Sequence, residues 1–337
     1  MKYSSEEKFF VYLNSTAISL SGFNGQNQRD YLMKKVLLFF LAAFLCLTHS
    51  FSQCITNVDF HPWTEAGWVA NGNWVVNGAG NQVHQTINGQ SSFFISPFDL
   101  MNVHITGNFK TTDNDDDYMG FVFCFQNPMG QSDTFKTWLF DWKQKNQTSG
   151  GQLASKGMSL NKVDGVIPTS QYNNTFWAHN NTPEFTCVQN TFGSPGWVQN
   201  FNHAFDIVLT YTRVIISIDG QQVFDHQDCF EPGRFGFYNY SQQDCYYTNF
   251  QYELFADFTI TDTVVCTSDN VQINFMPSCS GNSVGLNQYQ SLSWDFGDGS
   301  PALVITNPTS SNVNATHNYA TAGTYNITLT VTDVLGC

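Results

Sequence analysis

The chain of 337 residues carries 27 acidic against 13 basic side chains, a formal net charge of −14, and only 12% of its residues are charged. This balance repels phosphate backbones and no basic stripe overrides it, so nucleic acid is excluded as a partner. The 31 phenylalanines, set among abundant Asn, Gln, Ser and Thr, suit a β-rich extracellular protein, and the length allows two domains.

Residues 1–32 are polar and mixed. Met33-Lys34-Lys35 then precedes the apolar run Val36 to Leu47, and Ser50-Phe51-Ser52-Gln53 offers small residues for cleavage. The run is well short of the roughly 20 residues that span a bilayer as a helix, so 33–53 reads as a secretory signal peptide. Residues 1–32 read as an upstream extension, with Met33 as the start. Both stretches are expected to lie outside the fold, leaving no membrane span after cleavage and an extracellular or cell-surface location. Neither Cys46 nor Cys54 sits in a good lipobox.

Export places Cys54, Cys124, Cys187, Cys229, Cys245, Cys266, Cys279 and Cys337 in an oxidising compartment, and their spacing does not fix a connectivity. No C-x-x-C pair occurs and the histidines are scattered, which argues against zinc or haem.

From Phe60 to Tyr252 the chain reads as short strands separated by Asn, Gly and Pro. They include Trp74–Val76, Val103–Phe109, Phe121–Phe125, Thr137–Trp142, Ala204–Tyr211, Val214–Ile218 and Arg234–Tyr238. Asp219-Gly220 is a strong hairpin signal, because the pair supplies the positive φ angles of a type I′ turn. No stretch keeps a helical apolar period over a dozen positions. An all-β, two-sheet jelly-roll sandwich follows.

Asp113, Asp115, Asp116 and Asp117 put four carboxylates into five residues. Their mutual repulsion is relieved by a hard cation, calcium above all, or by bulk water in a solvated acidic turn. In a strand Asp115 and Asp117 share a face and Asp116 does not, so either the run is a loop or there are two sites. An EF-hand is rejected, since Tyr118 and Cys124 stand where Gly and Glu belong.

Four stretches carry a family resemblance in order. They are Asn73-Trp74-Val75-Val76 with Gln85-Thr86, Asp115 through Phe123, Trp142-Lys143-Gln144, and Gly233-Arg234-Phe235-Gly236-Phe237-Tyr238 leading to Ser241-Gln242. Residues 54–256 resemble the C-terminal lectin-like domain of thrombospondins and its bacterial relatives, a jelly roll related to L-type lectins. The resemblance implies an extracellular adhesion domain in which Asp115, Asp116 and Asp117 help to hold calcium. Two departures stand out: the calcium-rich repeats that precede this domain in thrombospondins are missing, and an insert at about Asn127 to Thr134 lengthens a hairpin.

Catalysis is not expected. Glycoside hydrolases of this shape need two carboxylates flanking the scissile bond, and Glu65, Glu184, Glu231 and Glu253 are far apart in sequence. Gly281-Asn282-Ser283-Val284-Gly285 matches the nucleophile elbow but has no helix after it. Trp177, Trp197, Tyr246 and Tyr247 are candidates for a sugar platform, against the ordinary role of large aromatics as core. The sequons at Asn173 and Asn180 would carry little weight if the chain is bacterial like the relatives it resembles.

After Tyr252 the composition shifts. Ser293-Trp294-Asp295-Phe296-Gly297-Asp298-Gly299-Ser300, His317-Asn318-Tyr319 and Ala322 through Asp333 make residues 257–337 resemble a PKD domain, an immunoglobulin-like β-sandwich that serves as a spacer. Alternating Tyr325, Ile327, Leu329 and Val331 turn one apolar face inward, and Trp294 reads as core. Asp295 and Asp298 are expected to take structural roles, with weak cation binding as the alternative. The resemblance to bacterial PKD arrays implies a Cys266–Cys337 pair; Cys229 and Cys245 are the other disulfide candidates. Two functions remain open: a calcium-dependent adhesin binding glycan or matrix protein, and a non-catalytic display segment of a larger secreted enzyme.

Overall fold

The computed structural model describes the backbone of residues 6–12 and residues 58–67, 72–126, 134–256, 258–261, 263–267, 269–275, 286–309 and 311–337. The expected signal segment 33–53 and most of the hairpin insert lie outside the described residues.

Residues 64–254 form two antiparallel seven-stranded sheets. The first runs, edge to edge, Phe185–Asn190, Gly157–Val166, Thr134–Lys143, Tyr118–Phe125, Gly233–Tyr240, Ser92–Leu100 and Thr64–Gly67. The second runs Gln221–Gln227, Arg213–Ile218, His203–Leu209, Val103–Thr111, Cys245–Leu254, Gln82–Gln85 and Trp74–Val76. Between them lies an aromatic core: Phe121 stacks on Phe140 at 4.5 Å and reaches across to Phe205 at 5.3 Å, while Phe237 stacks on Tyr247 at 4.3 Å. Truncating such a buried ring costs about 3–5 kcal/mol. The hairpin expected at Asp219-Gly220 forms, with φ of 51° and 76°.

All eight residues of Tyr118–Phe125 are buried, because the first sheet is covered on both faces. Its outer face, with Phe93, Ile95, Val122, Leu139 and Tyr238, packs under Tyr172, Phe176 and Trp177 of the segment that follows Val166. Gly120 lies where two strands approach closely: an added Cβ would meet the Phe140 carbonyl oxygen at 2.0 Å.

The C-terminal domain is a second sandwich. One sheet runs Val264–Cys266, Glu6–Tyr12, Gly323–Asp333, Tyr289–Asp295 and Leu303–Thr306; the other holds Phe258–Ile260, Asn270–Phe275 and Ala315–Asn318. Trp294, Ile327 and Leu329 are fully buried, as the alternation implied. Gln288 Nε2 donates to the Met101 carbonyl at 2.7 Å and Asn287 Nδ2 to Asp99 Oδ2 at 2.7 Å, tying the two sandwiches together.

Two expectations are corrected here. Residues 1–32 do not lie wholly outside the fold, since Glu6–Tyr12 pairs with Val264–Cys266 on one side and Gly323–Asp333 on the other. The β-prone run Phe9-Phe10-Val11-Tyr12 pairs through its backbone with both neighbours. Nor does the Cys266–Cys337 pair form: Cys266 is a free, exposed thiol and Cys337 is disulfide-bonded elsewhere. Cys266 stands beside Tyr12 near the Gly323 end of the last strand, while Cys337 follows its Asp333 end. Eleven extended residues separate those ends by roughly 30 Å, far beyond disulfide reach. Cys229 is disulfide-bonded as well, whereas Cys245 is a buried free thiol. Among the described residues no helix is long and apolar enough to cross a membrane.

Candidate metal centre

Residues 113–117 form a loop leading into the strand Tyr118–Phe125, which settles the choice between loop and strand in favour of a loop. Freed from strand alternation, Asp115, Asp116 and Asp117 each bring a carboxylate oxygen to within 4.8 Å of the others. Asp113 is not in this group; its Oδ1 accepts the Asn114 N–H at 2.8 Å and so caps the turn locally.

The loop is held from several sides. The Asp117 N–H donates to Gln242 Oε1 at 2.8 Å, and Gln242 Nε2 donates to Thr111 Oγ1 at 3.2 Å. Asn88 Nδ2 donates to Asp115 Oδ2 at 2.7 Å. Trp197 Nε1 donates to the Asp117 carbonyl at 2.9 Å, and Gln199 Nε2 to Asn114 Oδ1 at 2.8 Å.

The chain also brings its own cation to the cluster. Lys143 ends the strand Thr134–Lys143 with its side chain fully buried, and its Nζ lies 2.5 Å from Asp117 Oδ1 and 3.2 Å from Asp116 Oδ1. It donates further to the Asp116 carbonyl at 3.2 Å and to Gln147 Oε1 at 2.9 Å, and sits 4.4 Å from the Trp177 ring centre and 5.2 Å from that of Tyr118. Burial pushes the Asp117 carboxyl up to about 6, against the opposing pull of the Lys143 ammonium. A buried carboxylate and ammonium at this distance offset much of each other's desolvation, so Asp117 Oδ1 is engaged whether or not an ion is present. Sequence reasoning missed Lys143, although its place in Trp142-Lys143-Gln144, one of the stretches carrying the family resemblance, was a signal.

A second buried polar group lies nearby on the outer face. His179 Nε2 lies 2.8 Å from Asp141 Oδ2, Ser159 Oγ donates to Asp141 Oδ1 at 2.5 Å, and Tyr118 Oη donates to the Trp177 carbonyl at 2.6 Å. These contacts pin the covering segment to the sheet. Among the suggested sugar-platform aromatics, Trp177, Trp197 and Tyr247 are buried core residues. Tyr246 is half-buried and stacks on His84 at 4.2 Å.

Comparison with known proteins agrees with this architecture. The model of the thrombospondin C-terminal region matches residues 69–255, and that of the PKD domain matches residues 256–337. Thrombospondin-2 of Gallus gallus is 27% identical over 201 residues, covering 54% of this chain and 16% of that protein. Thrombospondin-3 of Homo sapiens is 27% identical over 200 residues, covering 53% of this chain and 20% of its own length. The chain thus spans a small part of the curated relatives it matches. Among solved structures, the VIP36 exoplasmic/lumenal domain in its Ca2+/Man3GlcNAc-bound form aligns with a TM-score of 0.42 at 10% identity, covering 61% of this chain and 93% of that one. The carbohydrate-binding module CBM66 from Bacillus subtilis aligns at 0.38 and 16%, covering 57% and 95%. The chain belongs to the thrombospondin C-terminal region family and continues into a PKD domain.

Proposed function

We propose that this chain is an exported, non-catalytic adhesion module in which a calcium-shaped loop on the lectin-like sandwich presents a binding surface to a glycan or matrix protein, with the PKD domain as its stalk. The convergence of Asp115, Asp116 and Asp117 in one loop carries the reading. The donors are all hard oxygens, which suits calcium rather than a softer metal. Asp115 and the carboxylate oxygens of Asp116 and Asp117 not bonded to Lys143 would hold the ion. Calcium supplies charge neutralisation there, while Lys143, Gln242, Asn88 and Trp197 hold the loop in register for it. Extracellular modules bind calcium at about 0.1–1 mM, so the ion tunes the loop more than it drives folding.

A glycan array probed with the whole chain, once in millimolar calcium and once in excess chelator, tests this reading. Binding that disappears with chelator is the expected result. Binding indifferent to calcium would remove the aspartates from recognition, and no binding in either buffer would move the ligand from glycan to protein.

A further inference from the structure

The loop 191–202 braces the aspartate loop from outside. Besides the bonds from Trp197 and Gln199, the Asn200 N–H donates to the Thr111 carbonyl at 2.9 Å, Gln199 Nε2 to the Thr112 carbonyl at 3.1 Å, and Gln144 Nε2 to the Trp197 carbonyl at 3.3 Å. Val198 stands between Trp197 and Gln199, and its N–H donates to His203 Nε2 at 2.9 Å. A backbone N–H can only donate, so this bond fixes Nε2 as the bare nitrogen and places the ring proton on Nδ1. That proton meets Asp219 Oδ2 at 2.7 Å, and the other Asp219 oxygen accepts the Ala204 N–H at 2.8 Å.

The His203 side chain is 3% exposed. Its remaining surface is covered by Trp142 at 4.6 Å, Phe201 at 4.7 Å and Phe109 at 5.9 Å, contributed by three different elements and all uncharged. Asp219 is the charged group that faces it. The site is therefore built for one tautomer of a neutral imidazole.

We propose that His203 is a proton-operated latch on the loop 191–202. When the ring gains its second proton, Nε2–H points at the Val198 N–H and two donors face each other. Asp219 stays bonded through Nδ1–H in both states, so the ring is held and the loop gives way. A buried donor without an acceptor is costly, and the peptide that turns out carries Trp197 on one side and Gln199 on the other. Protonation of the ring thereby loosens the outer brace of the aspartate loop. The latch needs no metal, and it is testable apart from the calcium reading.

The test is hydrogen–deuterium exchange of the whole chain in excess chelator at about pH 7.5 and about pH 5, with rates corrected for intrinsic exchange. Peptides spanning 194–202 are expected to lose protection by about tenfold at the lower pH. The His203→Gln variant, whose amide oxygen can accept the Val198 N–H without titrating, is expected to show no such change. Unchanged protection in the natural chain, or an equal loss in the Gln variant, would overturn the latch. Should His203→Gln fail to fold, Asp219→Asn serves instead: it removes the counter-charge, so release moves to lower pH, and an unmoved midpoint overturns the proposal.

Discussion

Replacing Lys143 with Met keeps much of the apolar stem and deletes the ammonium. The Asp117 side chain, 2% exposed, then loses its partner at 2.5 Å, and Asp116 loses one at 3.2 Å. Removing one member of a buried pair costs about 3–5 kcal/mol, because the remaining charge stays in a poorly solvated place. For a domain of this size each 1 kcal/mol lowers Tm by about 2–4 °C, so a fall on the order of 10 °C is expected in calorimetry of the whole chain. The double variant Lys143→Met with Asp117→Asn removes the stranded charge and should recover most of that loss. Calcium should stabilise Lys143→Met more than the natural chain, since it meets carboxylates no longer engaged by the lysine. A loss under about 1 kcal/mol, typical of an exposed ion pair, would refute the picture of a buried ammonium holding the loop.

Further outcomes follow from the same structure. Gly120→Ala forces a Cβ against the Phe140 carbonyl oxygen and splits the central strand pair, so folded yield and Tm should collapse, by well over the 1–3 kcal/mol usual for overpacking. In the PKD domain, hydrogen bonds from Ser300 and His317 outweigh desolvation and hold the Asp298 carboxyl down at about 2. A carboxyl lowered on folding contributes stability that is full above its unfolded value of 3.8 and is lost as pH falls toward about 2. Urea unfolding of that domain should therefore weaken over this window, and Asp298→Asn should flatten the dependence.

How far the sequence could be read depends on where each signal sits. The Asp219-Gly220 turn and the strands beside it were legible because turn chemistry and β-branched alternation are local. Gly157–Val166, with its polar and glycine-rich composition, was not legible as a strand; it is held by neighbours on both sides, from Thr134–Lys143 and Phe185–Asn190. The apolar run Phe121–Phe125 was legible as a strand, but not that it would be buried on both faces, with Tyr172, Phe176 and Trp177 covering the outer one. At the candidate metal centre the aspartates were visible as a cluster. The separation of Asp113 from the rest and the arrival of Lys143 are tertiary facts. The strand Glu6–Tyr12 was hidden because its run is short and its partners lie more than 250 residues away.

The central claim is tested most directly by titrating calcium into the metal-free whole chain by calorimetry, beside the Asp115→Ala variant. Asp115 is the clean probe, since it belongs to the cluster while Lys143 bonds to Asp116, Asp117 and Gln147. The account predicts saturable binding at about 0.1–1 mM in the natural chain and its loss in the variant. No saturable heat in the natural chain, or equal binding by both, would contradict it.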